Sequence, residues 1–487
     1  MQPGKAVNPF QSSYADIETL LALHRFAWVP AMGDAVDPAW VDRIWRVWLE
    51  GYGEPDDSWA WHPYTAAERA INILDFSRRN GLPGDREKTL NALAAHGPAI
   101  AERLEYFGEN NTSNHLSNNG RGLFRLGLEL GLSDCTGRGA DILLKEAERI
   151  FLPSGILREG SSHYHLLLSR NYADAWLAAR RHKRPEERPL REIVSRALAV
   201  IPRLHLPGGL PLIGDISPDC PPGFLSGLMG GDEGWVGLLD ADSKRAFIDL
   251  RDNTVAVDGD TLLRDGWLRF DYERWSGLWY AAPDGWPPMP GHGHQDCGGF
   301  EVHYDNEPVF IDLGRGAYGE TGEAALYRSG ITHNTVLLDG NDPYPANKPY
   351  YDETFRRRIC GEPPSLCVED DSVIVRHAGF SRLRGGGKTQ RAWRFRPDEI
   401  DITDEISGRG HHVVLRCLHT ELPVEKEENA VIIHGREAAY RVEADTEITL
   451  APVTSWHAYG EGVPATALRI QSKKRLPCTV KLTVRVL

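Results

Sequence analysis

Apolar positions recur at helical spacing through the first half of the chain and at strand spacing through the second. Asp37-Pro38 has the chemistry of a helix start, and Val41, Ile44, Trp45, Trp48 and Leu49 form the stripe that follows it. Thr65-Ala66-Ala67-Glu68 reads as a capping box for a second helix that runs towards Asn80-Gly81. The same period predicts helices over 86–106, 114–130, 138–151, 162–182 and 189–204, separated by short turns marked by Gly or Pro. Such spacing predicts antiparallel helical hairpins. Residues 205–235 are rich in Gly and Pro and read as a domain junction that contributes loops. Beyond about 250 the text becomes short alternating runs that end in turn residues. They are NTVAVDG, VFIDLG, NTVLLDG, SVIVRHAGF, AWRFRP, HVVLRCLHT, AVIIHG, AYRVEA, TEITLAPV, ALRIQS and CTVKLTVRVL. These predict an antiparallel β-sandwich. The expected division is therefore a helical domain at 1–245 and a β-sandwich domain at 246–487.

Composition narrows the function. Apolar residues make up 41% of the 487, enough for full cores. A net charge of −14 excludes a general nucleic-acid binder, which needs a basic footprint. It leaves an anionic glycan open, because a local arginine cluster outweighs net charge within a screening length. Seven cysteines, odd in number and without CxxC spacing, give no disulfide framework. No run of about eighteen apolar residues predicts a membrane span. The N-terminus carries no apolar signal core, so the chain as written reads as cytoplasmic. A trimmed signal peptide would make it periplasmic or secreted.

The densest chemistry lies in Gly291 to Thr335. His292, His294 and Asp296 alternate, which on an extended backbone puts them on one face. Asp312 interrupts the apolar run VFIDLG, where a carboxylate needs a partner. His333 opens the next apolar run. Imidazoles with a carboxylate are a zinc ligand set, and His294, Asp312 and His333 read as a metal site joining neighbouring strands. The helical half offers two further groups. Asn114 and His115 stand among Asn110, Asn111, Asn118 and Asn119, more asparagine than capping requires. Glu159, His163, Tyr164 and His165 gather at another helix start. Trp59, Trp61, His62 and Tyr64 precede a helix, where core packing and a sugar-stacking platform are both open.

The pattern H-x-H-x-D, a strand ending in D-x-G, and Y-R-S-x-x-x-H-N-T-V resembles the heparinase II/III-like polysaccharide lyases. Here it is carried by His292, His294, Asp296, Asp312, Gly314, Tyr327, Arg328, Ser329, His333, Asn334, Thr335 and Val336. The helical half resembles the same family through Asn114-His115 and Tyr164. The resemblance implies an N-terminal (α/α) toroid followed by an antiparallel β-sandwich, with the glycan held between them. It implies a mainly structural zinc on His294, Asp312 and His333, with His292 turned towards substrate. It also implies β-elimination on an anionic, uronic-acid-containing polysaccharide or oligosaccharide. In that chemistry Asn114 neutralises the uronate carboxylate, and His115, Tyr164 and His292 are the candidates for base and acid. Arg121 and Arg315 supply positive potential, and Glu159, Trp61 and Tyr327 complete the expected substrate contacts. Oligomeric state and the particular sugar are not readable from the sequence. Two rivals stand beside this reading. One is a zinc-dependent hydrolase of the H-x-H-x-D-H type, against which Cys297 stands where the last His belongs. The other is a non-catalytic glycan-binding protein of the same fold.

Overall fold

The computed structural model describes residues 8–14, 16–428 and 430–487. Two compact units divide the chain. One holds the chain to Gly155 with His165–Ala199 and Ser217–Val255, and the other holds Ile156–Tyr164, Val200–Ile216 and Ala256–Leu487. Two short segments from within 1–245 therefore belong to the second unit. They carry Glu159, Tyr164 and Asp215.

The first unit is built from helices, with Pro38–Tyr52, Pro63–Asn80, Arg86–Ala101, His115–Leu130 and Ser133–Ile150 among the longest. Asp37 caps the first of these by accepting from the Ala39 N–H at 3.0 Å, and Pro38 occupies its first turn. The stripe of Val41, Ile44, Trp45 and Trp48 is buried with Phe26, Trp61, Ala70 and Leu93 in one core. The expected capping box at Thr65–Glu68 is not one. The helix starts earlier, at Pro63, and Glu68 lies buried inside it as the ion-pair partner of Arg121. Helices His115–Leu130 and Ser133–Ile150 meet backbone to backbone at Gly139, where a Cβ would come within 2.4 Å of the Phe124 nitrogen. That contact fixes the middle of the His115 helix against its neighbour.

The second unit is antiparallel throughout its named sheets. A four-stranded sheet has β1 (Trp267–Tyr272), β2 (Trp275–Tyr280), β3 (Gly299–Tyr304) and β4 (Glu307–Phe310) in chain order. The larger sheet contains β5 (Val336–Leu338), β6 (Ser365–Glu369), β7 (Ser372–His377), β8 (Gly386–Arg396), β9 (Glu399–Thr420), β10 (Val424–Lys426), β11 (Ala430–His434), β12 (Ala439–Ala444), β13 (Ile448–Ala458) and β14 (Glu461–Val486). Its order is β10-β11-β12-β14-β9-β8-β7-β6, with β13 on β14 and β5 on β9. Trp275, Trp279 and Phe300 of the small sheet pack with Trp393, Ile402 and Leu468 of the large one. This is the sandwich core.

Three expectations shift. The run NTVAVDG is not a strand; it leads into the short helix Gly259–Arg264. ALRIQS and CTVKLTVRVL form a single strand, β14, with an irregularity between Leu476 and Cys478. β1, β2, β3, β6 and β10 have no counterpart among the predicted runs; β2 and β3 are buried at every position and so show no alternation. All seven cysteines are free thiols. No helix among the described residues is long and apolar enough to cross a membrane.

Candidate active site

In the second unit three chain segments are stitched through their backbones. The His292 N–H donates to the Glu159 carbonyl at 2.7 Å, and the Asp215 N–H donates to the His292 carbonyl at 2.9 Å. Gly160 makes the crossing possible. Its φ is +74°, and a Cβ there would lie 2.8 Å from the Tyr280 hydroxyl and 3.1 Å from Gly293 Cα. Ser161 starts the helix Ser162–Arg181 in the manner of a cap, accepting from the Tyr164 N–H at 3.0 Å and donating to the Asp215 carbonyl at 2.8 Å.

The side chains set by these crossings form one group. Tyr164 and His292 stack face to face, with centroids 3.5 Å apart and planes 16° apart. The hydroxyls of Tyr164 and Tyr318 are 2.6 Å apart, and the Tyr318 hydroxyl also donates to the Ile216 carbonyl at 2.9 Å. Asp215 is the hub. Its Oδ2 lies 3.1 Å from His292 Nδ1 and its Oδ1 lies 2.9 Å from His294 Nε2. Arg315 donates to the same carboxylate at 3.1 Å, and its guanidinium sits 5.3 Å from the Tyr318 ring centre. Burial alone would raise the Asp215 carboxyl, but the hydrogen bonds from His292 and His294 hold it well below the usual carboxylate range. Glu159 is fully enclosed, with a carboxylate oxygen 3.7 Å from His292 Nε2.

Beside this group lies a buried cluster of side chains of the types that ligate cations. Ligand atoms of Asp296, Asp312 and His333 all lie within 4.8 Å of one another. His333 Nδ1 is 2.8 Å from Asp312 Oδ2 and 3.9 Å from Asp296 Oδ2, while its Nε2 faces the Tyr327 carbonyl at 3.1 Å. His294 adjoins them, its ring centre 4.9 Å from that of His333. Asp296 Oδ2 and His294 Nδ1 are buried and have no hydrogen-bond partner among the described residues. Burial holds the His294 imidazole below its ordinary value, in the neutral form that ligates metals. Burial opposes charge on His333 too, yet Asp312 and Asp296 outweigh it and raise it to about 9. The set therefore calls for positive charge. Its donors suit zinc: two imidazoles, each with its outer nitrogen fixed by Asp215 or a carbonyl, and two carboxylates. Asp296 joins Asp312 and His333 where the sequence pattern had named His294.

The first unit holds its own group. His115 opens its helix with Nδ1 2.7 Å from Glu105 Oε1, its side chain 42% exposed and its ring 4.5 Å from that of Tyr64. Glu105 is buried. Asn119, one turn along, donates to Glu105 Oε2 at 3.0 Å and accepts from the Glu105 N–H at 3.0 Å. Asn114 is buried at the N-cap position, and its carbonyl accepts from the Ser117 hydroxyl.

All five expected substrate contacts are buried, Glu159 and Arg315 in the group around Asp215 and the other three elsewhere in the interior. Arg121 is 1% exposed and paired with Asp174 at 2.8 Å and Glu68 at 2.7 Å. Trp61 is fully buried, with its indole N–H on the Tyr52 carbonyl, whereas Trp59 is 56% exposed. Tyr327 is buried, and its hydroxyl accepts from the Thr454 N–H at 2.8 Å. Asp215, Tyr318 and Glu105 escaped the sequence reading. Asp215 alone carried a signal, as an acid between apolar residues in LIGDIS.

Residues 258–483 match the family model for the heparinase II/III-like C-terminal domain. The C-terminal half is a heparinase II/III-like domain. Solved structures agree over the whole chain. A heparinase III structure superposes with a TM-score of 0.71 at 17% identity, covering 100% of this chain and 80% of that one. A heparan sulfate lyase HepC mutant from Pedobacter heparinus gives 0.60 at 16%, covering 98% and 78%. The chondroitin AC lyase of Streptomyces coelicolor A3, in complex with chondroitin sulphate, gives 0.54 at 10%, covering 99% and 77%. At these identities the likeness establishes the fold: an N-terminal helical toroid followed by antiparallel β-sheets, as the heparinase II/III-like pattern implied. Among curated proteins nothing matches the chain.

Proposed function

We propose that this heparinase II/III-like protein is a polysaccharide lyase that cleaves a uronic-acid-containing glycan by β-elimination. The observation that carries the reading is the Tyr164 hydroxyl 2.6 Å from that of Tyr318, on a ring stacked against His292. Elimination removes the C5 proton, turns that bond's electron pair into C4=C5, and releases O4, which takes a proton. A phenol with an ordinary pKa of about 10 works as base near neutrality only where neighbours stabilise its anion. The Arg315 guanidinium over Tyr318 brings positive charge to the pair, and the Tyr318 hydroxyl would stabilise the anion by turning its proton from the Ile216 carbonyl to Tyr164. His292, held by Asp215 and stacked on Tyr164, enters through the family resemblance as a candidate to protonate the leaving oxygen. Asn114 and His115 enter through the family resemblance, as an amide that neutralises the uronate carboxylate and an imidazole that moves a proton.

Zinc would be held by Asp296, Asp312, His333 and the inner nitrogen of His294. When bound it would crosslink the ends of neighbouring strands and add folding energy, a mainly structural role. Elemental analysis of protein purified without added metal checks this. Well-folded, active protein without zinc would remove the metal from the account.

Heparan sulfate and chondroitin sulphate, named for the structural neighbours, come first in a substrate panel, followed by alginate and bacterial exopolysaccharides. Elimination leaves a C4=C5 bond conjugated to the carboxylate, so near-ultraviolet absorbance should rise with cleavage. New reducing ends without that absorbance would sink the lyase reading and favour a hydrolase.

A further inference from the structure

A carboxylate behind an imidazole does two things: it fixes which nitrogen carries the proton, and it stabilises the imidazolium when one forms. Glu105 stands in that relation to His115 at 2.7 Å, and what surrounds Glu105 is unusually specific. Its backbone N–H donates to Asn119 Oδ1, so the Asn119 amide can face Glu105 in only one sense. That sense turns the Asn119 NH₂ onto Glu105 Oε2. Both oxygens are then committed as acceptors, one to Asn119 and one to His115. Burial opposes the charge on Glu105, but the hydrogen bond and charge of His115 outweigh it and hold the carboxyl below its usual value, ionised. His62 also faces this carboxylate, with Nε2 3.5 Å from Oε1, and burial keeps its imidazole below the ordinary value.

We propose that Glu105, oriented by Asn119, is a positioning residue that sets the tautomer of His115, holding the proton on Nδ1 and the lone pair on Nε2. This deepens the lyase reading, on which its catalytic consequence rests; the tautomer itself does not depend on that reading. The side chain of His115 is 42% exposed, so the ring is accessible from solvent. The inference also gives a job to the asparagine-rich segment, which capping left unexplained: Asn119 orients the carboxylate.

The test follows from the logic of the amides. In Glu105→Gln the new side chain must offer its carbonyl to the fixed Asn119 NH₂, so its own NH₂ turns to His115. The imidazole must then accept at Nδ1 and carry its proton on Nε2. Pairing the change with Asn119→Asp reverses this. The carboxylate introduced at 119 accepts from both the residue-105 N–H and the new NH₂, which returns a carbonyl to His115 Nδ1. Histidine-selective ¹⁵N spectra, with His115→Gln to assign the signal, read the tautomer without substrate. The expected results are Nδ1–H in the wild type, Nε2–H in Glu105→Gln, and Nδ1–H again in the double variant. Turnover should follow, with kcat falling ~10²–10⁴-fold in the single variant at little-changed KM, and at least about tenfold recovered in the double. Nε2–H in the wild type would overturn the proposal whether or not either variant folds. An unchanged tautomer in folded Glu105→Gln would overturn it too. The predicted tautomers without any elimination by the wild type would leave Glu105's role standing and remove the lyase reading instead.

Discussion

Each unit sets a histidine against a buried carboxylate, but the carboxylates take opposite edges of the ring. Glu105 meets Nδ1 of His115 at 2.7 Å; Asp215 meets Nε2 of His294 at 2.9 Å. The lone pair therefore falls on Nε2 in the first case and on Nδ1 in the second. Surroundings decide what that lone pair is good for. The His115 ring is partly exposed, and the amide of Asn119 holds its carboxylate. His294 is enclosed, and its inner nitrogen has no hydrogen-bond partner among the described residues while two further carboxylates stand close by. A partly exposed, carboxylate-backed imidazole suits proton transfer, whereas an enclosed one beside acids suits a cation. His292 stands between these extremes. It shares Asp215 with His294, yet its face is given to Tyr164.

The largest effect should come from the face that contrasts with the cation set. Tyr164→Phe removes one oxygen and leaves the stack on His292. Turnover should fall by ~10²–10⁴ while the melting temperature stays close to the wild type. Near wild-type kcat on a preparation of unchanged melting temperature would assign Tyr164 to packing and move the proton chemistry to His292.

Arg121→Ala should break the contrast in a different way, through stability. The guanidinium is buried with Asp174 and Glu68, and removing one partner of such a set costs ~3–5 kcal/mol. The loss should appear in urea midpoints, with KM of the folded fraction unchanged. A raised KM with full stability would restore Arg121 as a substrate contact against its burial. The helix that carries His115 also carries this network, so both the site and its foundation lie on one element.

The pattern of helices was legible because their apolar stripes and the Asp37 cap are local signals. The TAAE box misled because Glu68 serves a tertiary partner 53 residues away, which no local motif encodes. β2 and β3 were invisible for a related reason: the stretch WSGLWY faces protein on both sides, so strand alternation vanishes. At the site, the H-x-H-x-D alternation put His292, His294 and Asp296 on one face of an extended backbone. It could not distinguish the ring stacked on Tyr164 from the ring beside His333, because Asp215 serves both and the partners that separate them, Tyr164 and His333, lie elsewhere in the chain. Asp312 was readable because a lone acid in VFIDLG has to be paid for by a partner, and His333 is that partner.

Asp215→Asn tests the hub that joins the two histidines of the second unit. An amide cannot accept from His292, His294 and Arg315 at both atoms. Outer partners of metal ligands are typically worth ~10–100-fold in metal affinity or activity. Zinc retained on dialysis and kcat should fall together, zinc through His294 and kcat through His292. A fall in kcat at full zinc content would separate the two and make Asp215 a partner of His292 alone.

The smallest effect should come from Trp59. Trp59 and Trp61 are two residues apart in WAW, and their environments differ completely. Trp61 is enclosed by Trp48, His96 and the Arg69 guanidinium, while Trp59 is 56% exposed and lies 5.3 Å from the His62 ring. The same composition that left packing and sugar stacking open is thus divided between the two residues. Trp59→Ala removes an exposed ring, so stability should change by no more than ~0.5 kcal/mol. If the ring stacks on a sugar, about 1 kcal/mol of binding is lost, roughly fivefold in KM. Ground state and transition state would lose that contact equally, so kcat should hold. His62 joins Trp59 to the Glu105–His115 pair, with Nε2 3.5 Å from Glu105 Oε1, so the loss should be felt on the His115 side of the contrast and leave zinc content untouched. An unchanged KM on long and short glycans alike would make Trp59 a bystander and leave the first unit's contribution to Asn114 and His115.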